Sequence, residues 1–119
     1  MKIHDMRLAD QAFQKIKSGS KSLELRVGDD KRRAVALGDL IRFHCMDGSQ
    51  SILVEVLEVL AYEDFFQLYL DLDPREMGYG PLDLPDPRHM YAIYPPALIK
   101  EKGALAFRIR LLDPAPQGG

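Results

Sequence analysis

The sequence predicts an α+β fold, a run of short strands with short helices capping or flanking them, and three observations carry that expectation. Residues from Ser22 to Val27 alternate apolar and polar side chains, the period of a strand. Asp47-Gly48 between two apolar runs is a strong hairpin signal. Asp10 to Ser18 and Glu63 to Asp71 carry apolar stripes at helical spacing.

Taken in order, Met1 to Leu8 reads as a first strand. Asp10 to Ser18 follows as a helix, with Asp10 expected to cap its free amides and Phe13, Ile16 and Lys17 on one mostly apolar stripe. Gly19 ends it, because a glycine just past the last turn takes the left-handed conformation that redirects the chain. In the strand that begins at Ser22, Leu23, Leu25 and Val27 form an apolar face, and Ser22, Glu24 and Arg26 a polar one. Lys21 is out of phase with that polar face and joins it only if the corner around Gly19 and Ser20 is irregular. Leu40 to Cys45 and Ile52 to Ala61 are two further strands, joined through Met46 to Gln50 as a meander. Val54, Val56, Leu57, Val59 and Leu60 make the second of them apolar on parts of both faces, as in a central strand. The Glu63 to Asp71 helix presents Phe65, Phe66, Leu68, Tyr69 and Leu72.

Asp73 to Pro87 holds four prolines and two glycines without periodicity. A loop of that length in a compact domain usually covers a site. The functional expectation is a lid in which Gly78-Tyr79-Gly80 swings an aromatic ring over a base or sugar, and the competing one is a Tyr79 packed into the loop. Asp86-Pro87 starts a helix through His89, Met90, Tyr91 and Tyr94, Pro95-Pro96 breaks it and opens the next over Ala97 to Lys102, and Leu105 to Leu111 is the last strand. Residues 1–112 form one domain on this reading, and 113–119 have the composition of a flexible C-terminal tail.

The 119-residue chain is nearly half apolar, enough for a single core, with a net charge of −2 and no apolar run near the length of a membrane helix. The polar N-terminus and the single Cys45, which excludes an internal disulfide, lead to the expectation of a cytoplasmic protein. Bases cluster from Lys15 to Arg33, whereas Arg75 is the only base between Asp47 and Asp86. A basic patch of that kind attracts phosphates, although a solvated face gives the same pattern and the pI near 5.9 is low for a dedicated nucleic-acid binder. His4, His44, Cys45 and His89 fall at no metal-ligand spacing, and no nucleophile elbow, phosphate loop or dinucleotide fingerprint is present, so no metal or cofactor is expected.

The stretch Gly19-Ser20-Lys21-Ser22-Leu23-Glu24-Leu25-Arg26, a Gly-x-Lys-x-x-Glu-x-Arg pattern after a short helix, resembles the signature of ASCH domains of the PUA-like superfamily. Leu37-Gly38-Asp39 leading into a strand, and a Tyr-containing helix leading through Gly103 into the last strand, are similar to that family as well. The resemblance implies a PUA-like small β-barrel, with the Glu63 to Asp71 helix plugging one end. It also implies an RNA-, nucleotide- or nucleoside-type ligand held in a cleft by Gly19, Lys21, Glu24 and Arg26, with Tyr94 as a further contact beside the Tyr79 of the loop reading.

Chemistry at this motif has three readings. A lysine beside a carboxylate, partly shielded from water, can hold or shift a proton, and an arginine can fix an anionic group with two prongs. One branch similar to this family deacetylates N4-acetylcytidine with a threonine nucleophile, a lysine and a glutamate. Glu24 stands in the place of that threonine, and Ser22, two residues earlier, is too far away to replace it. Lys21 and Glu24 as acid and base, either in such an amidohydrolase or in a metal-independent ribonuclease, form the enzymatic alternative to a binding module. The structural alternative is a Glu24–Arg26 ion pair that braces the barrel entrance.

Overall fold

The computed structural model describes residues 1–112; the expectation of a flexible tail at 113–119 lies outside the described residues. Five strands form one curled half-barrel sheet. They are β1 (Ile3–Arg7), β2 (Leu23–Val27), β3 (Leu40–His44), β4 (Ser51–Tyr62) and β5 (Ala104–Leu111), in the order β1-β3-β4-β5-β2. β1 runs parallel to β3, and the other pairings are antiparallel. The helices are α1 (Asp10–Ser18), α2 (Asp30–Arg33), α3 (Phe65–Asp71) and α4 (Pro96–Lys102), with single 3₁₀ segments at Pro74–Met77 and Pro87–Ala92.

The meander over β3 and β4 is as the hairpin signal requires. Asp47 accepts from Ser49 N and Oγ in the turn, and Gly48 has the positive φ of 76° that the bend demands. β4 is central, but its apolar residues are not all covered. A bulge between Val56 and Glu58 shifts the register against β5 and reverses the facing of the strand. Ile52, Val54 and Val56 therefore face the core, while Leu57 and Val59 are exposed.

Two apolar clusters lie on opposite faces of the sheet. Met6, Phe13, Ile16, Ile41, Phe43, Val54, Val56, Leu105 and Phe107 fill the concave side beneath α1. Leu23, Leu25, Phe65, Leu68, Met77, Met90, Ile99, Ala104 and Ala106 form the second under α3, α4 and the 3₁₀ segments. β5 alternates between the two, and β2, its neighbour, does so with a difference. Leu23 and Leu25 enter the second cluster, whereas Glu24 and Arg26 pair with Phe107 and Leu105 and point into the concave side. The polar face of β2 is thus an interior face, and all five of its residues are buried.

The two edge strands, β1 and β2, are not hydrogen-bonded to each other as strands, so a seam runs between them. On the far side of β1, Asp39 ties the chain start to β3 by accepting from Lys2 N (3.1 Å), Ala36 N (3.0 Å) and the His4 ring (2.8 Å), and these bonds hold its carboxyl well below the usual range. At the other end of β2, Gly28 N donates to Gly103 O at 2.9 Å, and a Cβ on Gly28 would stand 2.6 Å from the Lys102 carbonyl. Gly28→Ala should lower stability by about 1–3 kcal/mol, read from the midpoint of urea unfolding, because the added methyl meets not only the Arg33 guanidinium, which can move, but also the Lys102 backbone carbonyl. An unchanged midpoint would show that α4 does not approach β2 this closely.

Candidate functional site

α1 presents the site from its C-terminal end. Gly19 adopts φ 87°, and the amides of Gly19, Ser20 and Lys21 turn back onto Ile16 O and Lys15 O. This irregular corner brings Lys21 inward to the face that carries Glu24 and Arg26. At the other end of the helix, Asp10 does not cap: Ala9 occupies the cap position without a side-chain bond, and Asp10 sits in the first turn, where its charge complements the helix dipole.

Lys21, Glu24 and Arg26 are 9 %, 5 % and 7 % exposed, so the three charges of the motif are buried together. Arg26 Nε donates to Glu24 Oε2 at 2.7 Å, and Lys21 Nζ lies 3.5 Å from Oε1. Lys21 also donates to Met77 O at 2.8 Å. Arg26 Nη2 donates to Arg7 O at 2.7 Å, which carries the guanidinium across the seam from β2 to β1, and its carbon lies 5.9 Å from the centre of the Phe43 ring. Burial lowers the Lys21 pKa from its ordinary value; Glu24 works against that fall, and the nearby Arg26 and Lys15 charges add to it. Two cations around one carboxylate leave an excess of one positive charge in a largely water-excluded place.

The triad lines a cavity of about 420 Å³. Arg7, Leu8, Gln11 and Ala12 from the β1–α1 side face Tyr69, Met77, Tyr79, His89 and Met90 across it. Its aromatic wall is hydrogen-bonded: Tyr69 Oη and Tyr79 Oη are 2.8 Å apart, and Tyr79 Oη is 2.8 Å from His89 Nδ1. Burial and that bond to Tyr79 raise the Tyr69 pKa, so the phenol stays protonated.

The expected 73–87 loop is partly ordered into the 3₁₀ segment at Pro74–Met77, capped by Asp73. Three consecutive carbonyls strap it to the α1–β2 corner: Glu76 O accepts from Ser22 N, Met77 O from Lys21 Nζ, and Gly78 O from Lys15 Nζ at 2.7 Å. Beyond this strap, Tyr79 Oη bonds to Tyr69 and His89. Gly19 shapes the corner without lining the cavity, and Tyr94 is not brought to it at all. The Tyr94 ring stacks on Phe65 at 6.4 Å within the second cluster, which is the packing role. The basic run is also largely spent internally: Lys15 on Gly78 O, Arg32 on Asp29, and Arg33 on Gly28 O and Lys102 O. Sequence reasoning missed Arg7, Tyr69 and His89. Tyr69 reads as one more member of an apolar helical stripe, and His89 and Arg7 have no motif around them.

The family model of the ASCH domain matches residues 6–102. The chain belongs to the ASCH domain family. Among solved structures, this ASCH domain is similar to hypothetical protein PH0355 (TM-score 0.78, 24 % identity, 94 % of this chain and 100 % of that one). It is also similar to protein PF0455 from Pyrococcus furiosus (0.71, 24 %, 93 % and 98 %) and to ASCH from Zymomonas mobilis (0.63, 17 %, 91 % and 66 %). No curated protein matches it significantly. At these identities the structural likeness concerns the fold, an α+β, PUA-like half-barrel. No helix among the described residues is long and apolar enough to cross a membrane.

In this ASCH domain, Glu24→Gln should cost roughly 3–5 kcal/mol, because it strands two buried cations without their carboxylate. Arg110→Ala, which removes an exposed pair with Glu55, should cost at most about 1 kcal/mol. Urea unfolding of both variants checks the contrast; equal effects would mean that the motif charges are solvated.

Proposed function

We propose that this ASCH domain binds one nucleoside-type unit, free or carried on RNA, in the cavity above Lys21, Glu24 and Arg26. The observation that carries the reading is the buried carboxylate held between two cationic donors, at one side of a cavity whose other walls combine apolar and aromatic side chains with Arg7, Gln11 and His89. A base edge offers N–H donors and carbonyl acceptors close together, and an acceptor flanked by donors complements such an edge. Tyr79, His89 and Met90 supply flat and polarisable surface for its face. The volume falls within the ordinary range of small-molecule sites. Internal pairing of the Lys15 to Arg33 bases favours recognition of a single unit over an extended basic track.

A second reading rests on Lys21, a buried ammonium beside Glu24 whose lowered pKa makes it a readier proton donor. In an amidohydrolase or ribonuclease, Glu24 would activate water or a hydroxyl as general base, and Lys21 would stabilise the developing anion. The binding reading is preferred because Glu24 already accepts a 2.7 Å bond from Arg26, which holds it as a recognition group.

Calorimetry with the four ribonucleosides, N4-acetylcytidine and short oligoribonucleotides, with mass spectrometry of the mixtures afterwards, tests both readings. Lys21→Met should weaken binding about tenfold or more, the worth of one charge-assisted hydrogen bond, with no product from any of them. Turnover that disappears in Lys21→Met while binding persists would establish the hydrolase instead. Absence of binding across the whole set would defeat the nucleoside assignment.

A further inference from the structure

We propose that the seam between β1 and β2 is a phosphate site adjoining the nucleoside cavity, so that the ligand of this protein is a nucleotide, free or in RNA. The inference rests on the nucleoside reading of the main cavity and adds to it the class of ligand.

A second cavity of about 410 Å³ opens along the seam, lined by Asp5, Met6, Arg7, Arg26, Lys31, Arg32 and His44. Arg7 and Arg26 line both cavities. They form the partition between the two, and the Arg26 Nη2 bond to Arg7 O is the crosslink that spans the gap between the unpaired strand edges. A ligand seated against Arg7 in the first cavity therefore has a polar, cationic space on the other side of that residue.

The charges of the seam can be sorted by what already compensates them. Arg26 is held by Glu24, and Arg32 donates from Nη1 to Asp29 at 2.6 Å. The buried Arg32 Nε has no partner among the described residues. Asp5, the one carboxylate in the lining, is shared by the His44 ring at 2.8 Å and Arg42 at 3.6 Å. Its lowered pKa reflects first the His44 bond and then the Arg42, His44 and Lys31 charges around it. Lys31 makes no ion pair among the described residues, and the Arg7 guanidinium has only a long 3.4 Å contact with Met46 O. Two exposed cations thus remain available beside a carboxylate that the His44 ring and Arg42 already engage. Exposed cations converging on a cleft favour a compact, multiply charged oxyanion, and the phosphate of a nucleotide reaches such a cleft when its base occupies the adjoining cavity.

Titration calorimetry of ribonucleosides, their 5′- and 3′-monophosphates and the ribodinucleotides, at about 50 and 200 mM salt, tests the assignment. For whichever base binds best, one phosphorylated form should bind roughly tenfold tighter than the nucleoside at low salt, with the advantage shrinking at high salt. Lys31→Glu, an exposed position outside the nucleoside cavity, should abolish that advantage and leave nucleoside affinity unchanged. Equal affinity for nucleosides and nucleotides would overturn the seam site while leaving the nucleoside cavity intact. A phosphate advantage that survives Lys31→Glu would also overturn it, by placing the phosphate elsewhere. Failure of every nucleoside and nucleotide to bind would overturn both assignments.

Discussion

The structure turns on a single carboxylate placed where water is scarce. Glu24 sits on the concave face of the half-barrel, opposite Phe107, between a lysine and an arginine that are nearly as buried as it is. Taking three charges out of water costs several kcal/mol apiece, and their mutual attraction offsets that only with good geometry and with further bonds for the remaining donors. Those bonds define the local fold. Lys21 finds its second acceptor in Met77 O, which fixes the 3₁₀ segment; Arg26 finds its own in Arg7 O, which bridges β2 to β1. A wholly apolar replacement would pack more simply but would remove one of the three bonds of the strap and the Arg26 crosslink of the seam.

The same arrangement explains how a cavity survives in so small a domain. An apolar interior closes on itself until it reaches crystalline packing density. Here, the buried charged face of β2 is not packed by apolar side chains alone, because its charged groups need polar partners. Polar walls stand around it instead, from Arg7 and Gln11 on one side and from the Tyr69–Tyr79–His89 chain on the other. An opening lined in this way is suited to a ligand that brings both acceptors and a flat apolar surface.

Much of this was legible in the sequence, and the parts that were not share a cause. Gly19 at the helix end, the alternation from Ser22 to Val27 and the Asp47-Gly48 hairpin are local signals, and the elements they predict are present with small shifts of boundary. The Lys21, Glu24 and Arg26 cluster followed from the same local pattern, through the irregular corner that Lys21 needed. What the pattern could not convey was which face of β2 is interior, since a strand buried on both sides hides its orientation. Tyr94 and Tyr69 show the limit again: both are aromatic residues on or beside apolar stretches, and tertiary packing alone sends one to Phe65 and the other to the cavity. The bulge in β4 and the parallel pairing of β1 with β3 likewise depend on contacts between segments distant in the chain.

Titration of the Lys21 side chain by NMR, through its labelled Cε and Nζ, probes the triad most directly. Burial disfavours the ammonium and the Glu24 carboxylate supports it, so Lys21 should titrate below the ordinary lysine value of 10.5, and lower still in Glu24→Gln. A folded protein in which Lys21 titrates as a solvated lysine, indifferent to the charge on Glu24, would contradict the account.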